Sequence, residues 1–159
     1  MELERNAEFI RGLCSSDFHA HIPQLPVQSV VPDAFLLKDY YVIFPGAGSP
    51  ARQWPYPNFA ALANKIYQKT GWTGVVCGGP SEESLGKAIL KRTNTPLQNW
   101  IGQTTLLQLI AVIAGAKFLI ANETSAVHIA AAVSVPAVCI LGGGHFARFM
   151  PYQVDDGID

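Results

Sequence analysis

The run Asn122-Glu123-Thr124-Ser125, with His128 four positions after Thr124, gathers a carboxamide, an acid, two hydroxyls and an imidazole at the opening of a segment of small residues, 126–133. Free N–H groups and the positive end of a helix dipole at such an opening favour an anion. A carboxylate there can hold sugar hydroxyls. The same residues also make an ordinary helix cap, and the stretch alone leaves both readings open. A second stretch, Gly46-Ala47-Gly48-Ser49, precedes Arg52. Its glycines let backbone approach a ligand closely, and an arginine can grip a phosphate through two N–H groups. A third, Gly78-Gly79-Pro80-Ser81, leads into Glu82 and Glu83, one of which could meet a ribose. A fourth, 142–148, is glycine-rich and then aromatic and basic, with His145 and Arg148 as loop residues. The candidate binding set is therefore Gly46, Ser49, Arg52, Glu82, Glu83, Glu123, Thr124, Ser125 and His128. Amides and Arg52 would take the phosphates of a nucleoside diphosphate, and a carboxylate would take ribose or sugar hydroxyls. His128 reads equally as a phosphate-side ligand or as a core histidine bonded to backbone. Trp54 reads as packing.

These stretches follow apolar segments that read as strands at 40–44, 73–77, 117–121 and 137–141, with a shorter one at 98–101. Between them lie helical patterns. Residues 57–69 place Phe59, Leu62, Ala63 and Ile66 on one face, with Gly71 beyond the end. Residues 82–92 form the next. A helix capped at Thr104 or Thr105 runs through 113, so apolar that most of it is expected to be buried. Residues 3–13 read as a short amphipathic helix, and 15–33, with three prolines and no period, as a linker. Strand and helix alternate four times before the last strand. That order predicts an α/β fold, a Rossmann-like parallel sheet with helices on both faces and right-handed crossovers. In such a sheet the loops at the carboxyl ends of the strands share one edge, where ligands bind.

The 159 residues suffice for one domain with a real core, and 49% of them are hydrophobic against 14% charged. A net charge of −1 gives no broad basic face for nucleic acid, so no nucleic-acid partner is expected. No apolar run approaches the ~20 residues of a membrane span. Cys14, Cys77 and Cys139 are odd in number and widely spaced, which argues for free core thiols in a reducing compartment and against zinc. The third glycine of a dinucleotide fingerprint, a Gly-Lys-Ser/Thr phosphate loop and a Gly-x-Ser-x-Gly elbow are all lacking, which disfavours hydride transfer, phosphate-loop hydrolysis and esterase chemistry.

Phe-Pro-Gly-Ala-Gly-Ser-Pro-Ala-Arg-Gln-Trp-Pro, positions 44–55, resembles the first motif of the carboxyl-terminal domain of glycosyltransferase family 9, the lipopolysaccharide heptosyltransferases and their relatives. Asn-Glu-Thr-Ser-Ala-Val-His-Ile-Ala-Ala-Ala, positions 122–132, is similar to its second motif, usually written Asp-Thr/Ser-Gly-x-x-His-x-x-Ala-Ala. Ile101-Gly102-Gln103-Thr104-Thr105-Leu106 resembles the segment between them, and Glu4-Arg5-Asn6 the inter-domain linker. The resemblance covers nearly the whole chain. It implies the carboxyl-terminal half of a glycosyltransferase-B fold, two Rossmann-like domains facing across a cleft. Residues 1–38 would be inter-domain helix and linker, and 39–159 the donor-binding domain, cut short, with the amino-terminal acceptor domain absent. The reaction implied moves a sugar, heptose or similar, from a nucleoside diphosphate to lipopolysaccharide core or a related glycolipid, with inversion. No cofactor or protein-held metal is implied, and the catalytic residue, a general base, would belong to the absent domain. The place of work implied is the cytoplasm, including the inner face of the cytoplasmic membrane as a peripheral site. The chain departs from the pattern at Glu123, where Asp is usual, at Ser125, where Gly is usual, and at Arg52-Gln53, where a basic pair is common. Two other readings stand beside this one: a stand-alone nucleotide or sugar-phosphate binding module, and another glycosyltransferase-B enzyme or a sugar epimerase.

Overall fold

A computed structural model describes residues 1–14, 17–27, 31–32, 35, 37–144 and 146–152. His145, the acidic tail 153–159 and parts of the 15–33 linker lie outside the described residues. The chain forms two compact units, Met1–Pro23 with Leu141–Asp159, and Gln24–Ile140.

In the first unit helix α1, Glu2–Leu13, is the amphipathic helix expected, with Ala7 buried. The Glu2 amide donates to the Arg148 carbonyl at 2.8 Å, and the Glu2 carboxylate accepts from Arg148 Nε at 3.3 Å. Arg148 also lies over the Phe149 ring at 4.8 Å. Cys14 is exposed, not a core thiol.

The second unit alternates strand and helix throughout: β1 Tyr40–Phe44, α2 Tyr56–Thr70, β2 Thr73–Val76, α3 Glu83–Arg92, β3 Leu97–Asn99, α4 Leu106–Ala114, β4 Leu119–Asn122, α5 Ser125–Ala132 and β5 Ala137–Ile140. All four pairings in the sheet are parallel, in the order β3-β2-β1-β4-β5. Neighbouring tyrosines on β1 show both faces covered, because successive side chains on a strand point to opposite sides. The Tyr41 hydroxyl donates to Ala63 O in α2, and the Tyr40 hydroxyl to Val112 O in α4 at 2.7 Å. On the α2 side the core is built from Tyr41, Ile43, Phe59, Ala60, Ala63, Val76, Ile89, Ile101 and Ile120. Helix α2 ends as its sequence predicts, on Gly71 in the left-handed conformation at φ 71°.

Four expectations shift. β3 ends at Asn99, not at 101, because the Asn99 side chain accepts the Ile101 amide at 3.2 Å and turns the chain. β4 starts at Leu119, not at 117, and carries Asn122 as its last paired residue. Lys117 instead pairs with Asp39 at 2.9 Å. β5 is an outer strand that ends at Ile140, not at 141, and its Ala137 and Val138 are exposed. Helix α4 is capped by Thr105, one of the two threonines expected, closed reciprocally by Gln108, but Leu106 and Leu107 are 65% and 55% exposed. Burial grows along this helix toward Ala111–Ile113 rather than around it. Apolar content shows that a helix packs somewhere, and its tilt then decides which turn does so.

Candidate functional site

The strand order reverses between β1 and β4, so the chain leaves their carboxyl ends in opposite directions and a crevice opens between the two loops. Here it is an open cleft of about 450 Å³, a size suited to a small ligand. β1 supplies Phe44 at its base, then Ala47, Gly48 and Arg52. The loop after β2 supplies Gly79, Ser81 and Glu82, and that after β4 supplies Glu123, Thr124 and Ser125.

The β1 loop is short of regular structure. Its one turn of 3₁₀ helix, Pro50–Arg52, is closed by Arg52 N–H to Ser49 O at 3.0 Å. Among the described residues Arg52 is the sole cation on the cleft wall, and its Nη2 passes over Gly48, 2.9 Å from where a Cβ would stand. Across the cleft Thr124 is the extended residue that precedes α5. Its Oγ1 is buried and has no hydrogen-bond partner among the described residues. A hydroxyl in that state, at a helix N-terminus that shares a cleft with an arginine, is suited to a phosphate oxygen.

Glu82 is held differently. Its carboxylate accepts the Gly79 amide at 2.8 Å and lies against the backbone of Gly46 and Gly78, where a Cβ on either glycine would overlap it. The two glycines let the acid fold down onto the strand ends. Its neighbour Glu83 starts α3 and turns outward to Lys87 at 2.7 Å, off the cleft wall. Of the nine sequence candidates, then, Arg52, Glu82, Glu123, Thr124 and Ser125 converge. Gly46 lies beneath Glu82, Ser49 lies at the base of the 3₁₀ turn, and Glu83 and His128 are not on the wall. Trp54 packs edge-to-face on Phe59 at 5.0 Å, as expected of it. Ala47, Gly48, Gly79 and Ser81, which belong to the two glycine-rich stretches but not to the nine candidates, also line the cleft. Ser81 had a signal, a hydroxyl between a glycine pair and an acid. Among the described residues no three of His, Cys, Asp and Glu come together as a metal site.

Residues 12–158 match the profile of glycosyltransferase family 9 (heptosyltransferase). The chain belongs to glycosyltransferase family 9. It is similar to lipopolysaccharide heptosyltransferase 2 of Escherichia coli (strain K12), with 34% identity over 103 residues, 62% of this chain and 29% of that protein. The solved structure of E. coli ADP-heptose lipopolysaccharide heptosyltransferase II is 31% identical over 64% of this chain and 32% of its own, with a TM-score of 0.62. E. coli heptosyltransferase WaaC with ADP, at 20% identity and a TM-score of 0.65, covers 86% of this chain and 42% of its own, a likeness of fold. This chain thus spans less than half the length of each of these relatives.

Within this family 9 chain the groups behind the wall are tuned by burial. Burial pushes the Cys77 thiol up to about 12 and, with help from the Glu123 charge, that of Cys139 to about 11. Neither is a thiolate at neutral pH, so neither is a nucleophile. Burial lowers the pKa of His128, while the Glu123 charge opposes that shift. His128 is therefore neutral at pH 7. Below its ordinary value of 6.5 the unfolded chain takes up a proton that the folded one resists, so stability falls as pH drops from 6.5 toward the lower folded value. Above 6.5 His128 contributes no slope. Urea unfolding near pH ~7.5 and pH ~5.5 checks this. His128→Gln is expected to lose less stability than the wild type across that interval, and an equal loss in both proteins would remove His128 as the cause.

Proposed function

We propose that this protein supplies the donor-binding side of a glycosyltransferase that moves heptose or a similar sugar from a nucleoside diphosphate to lipopolysaccharide or a related glycolipid. The observation that carries the reading is that Arg52 and Thr124, whose hydroxyl has no hydrogen-bond partner among the described residues, line one cleft at the sheet's reversal point. A diphosphate laid there meets Arg52 on one side and the amino end of α5 on the other. In this reading Glu82 takes ribose hydroxyls and Glu123 those of the sugar. In the transfer an acceptor hydroxyl attacks the anomeric carbon, the bond from that carbon to the phosphate oxygen breaks, and the diphosphate leaves with the electron pair. Arg52 and the helix dipole stabilise the charge that grows on it. The carboxylate that takes the acceptor proton is assigned to a facing acceptor domain, with residues 1–38 as the connection and 39–159 as the donor half.

This assignment makes a testable claim. The chain by itself should bind ADP or an ADP-sugar with a dissociation constant of roughly micromolar to millimolar, since one wall of a cleft leaves charged contacts open to water. It should transfer no sugar, because holding acceptor against donor and removing its proton both need the second wall. Calorimetry with nucleoside diphosphates and nucleotide sugars measures the first, and a glycolipid transfer assay the second. Sugar transfer by this chain, abolished by Glu123→Gln, would place the base here and overturn the division of roles.

A further inference from the structure

Asn122 is the only fully buried polar residue among the described ones, at 0% exposure, and it ends an otherwise apolar strand. Its carboxamide uses all three of its bonds on one distant loop. Nδ2 donates to Pro45 O at 2.6 Å and to Gly46 O at 3.2 Å, and Oδ1 accepts the Trp54 amide at 3.0 Å. Pro45-Gly46 and Trp54 are the two ends of the segment that carries Gly48, Ser49 and Arg52. One side chain therefore draws both ends of that loop together and fixes them to β4, a single residue before Glu123 and two before Thr124. Within the loop only the 3₁₀ turn gives internal support, through the Arg52 and Gln53 amides. A carboxamide suits the task because it offers two donors and an acceptor in one plane. Aspartate would aim a charge at two carbonyl oxygens, and serine cannot reach both loop ends.

The geometry points to Asn122 as a positioning residue: it holds the Arg52 loop in register with the Glu123–Ser125 turn, so that cation and helix end meet one diphosphate. This rests on the nucleotide reading above and adds to it the group that sets the separation of the two phosphate-binding sides. Asn122 touches no ligand in this account and acts through Arg52.

The test uses Asn122→Ser and the near-isosteric Asn122→Asp, with folding checked by circular dichroism. Hydrogen exchange reads the clasp without any ligand. Amides of residues 46–54, Trp54 above all, are expected to exchange faster in both variants while β1 and β2 keep their protection. Unchanged exchange in that segment would overturn the proposal. Titration with ADP then reads its consequence. Both variants are expected to bind at least about tenfold more weakly, and Arg52→Ala made in the Asn122→Ser background should cost only a small part of what it costs alone. A merely structural Asn122 gives additive losses, which would overturn the positioning role, as would wild-type affinity in both variants. Wild-type protein that binds no ADP would refute the nucleotide reading instead, and the exchange data would then decide the clasp by themselves.

Discussion

Arg52→Ala is expected to weaken nucleoside diphosphate binding by about 1.5–3 kcal/mol and to leave binding of the bare nucleoside nearly unchanged. The range is that of a hydrogen bond to a charged group. Among the described residues Arg52 is the one cation on a wall that also carries Glu82 and Glu123, and it makes no ion pair with any of them. Removing it leaves two carboxylates facing a polyanion, with only backbone amides and hydroxyls to offset them. Arg52→Lys should recover part of the loss, since a lysine keeps the charge and loses the two-pronged geometry. Calorimetric titration of both variants with ADP and with adenosine is the check. Equal losses for the two ligands would show that Arg52 does not meet phosphate.

Phe59→Ala is expected to destabilise the fold by about 3–5 kcal/mol, the usual cost of removing a buried aromatic ring and leaving a cavity. Phe59 is fully buried where α2 meets the sheet, among Tyr41, Ile43, Val76, Ile89 and Ile120. It also carries the edge-to-face contact with Trp54, at 84° between the rings, just where the β1 loop enters α2. A single truncation therefore opens a void in the larger core and loosens the anchor of the Arg52 loop. Phe59→Leu nearly conserves volume and should cost less than about 1.5 kcal/mol. Urea unfolding compares the three proteins. A loss below about 1 kcal/mol for Phe59→Ala would mean that the core closes over the gap and that α2 is less firmly seated than its contacts suggest.

What each residue needed in order to be read explains where sequence reasoning reached. β1 was legible to the residue because Tyr40–Phe44 is an unbroken apolar run closed by Pro45-Gly46, and α2 because its apolar spacing and Gly71 are local signals. The parallel order followed from alternation alone. Shared motifs along the chain sufficed for the family. Local signals could not separate Glu82 from Glu83, since both are acids at a helix start. The fold separates them, setting Glu82 against Gly46 and Gly78 and turning Glu83 to Lys87. Nor could they show that β5 is an outer strand, or that α4 exposes its first turn, since tilt and sheet position are relations between elements distant in sequence.

By itself, then, the sequence determined the order of strands and helices, the parallel sheet, and the chemistry on offer at the loop ends, because propensity, periodicity and turn residues act over a few neighbouring positions. Only the tertiary structure decided which side chains meet. Asn122 shows the difference most directly: in sequence it is one more polar residue before a helix, and in the fold it bonds to atoms 68 to 77 residues away and fixes the loop on which Arg52 stands. A hydrogen bond depends on distances of tenths of an ångström, and across that much chain nothing but the packed sheet sets them.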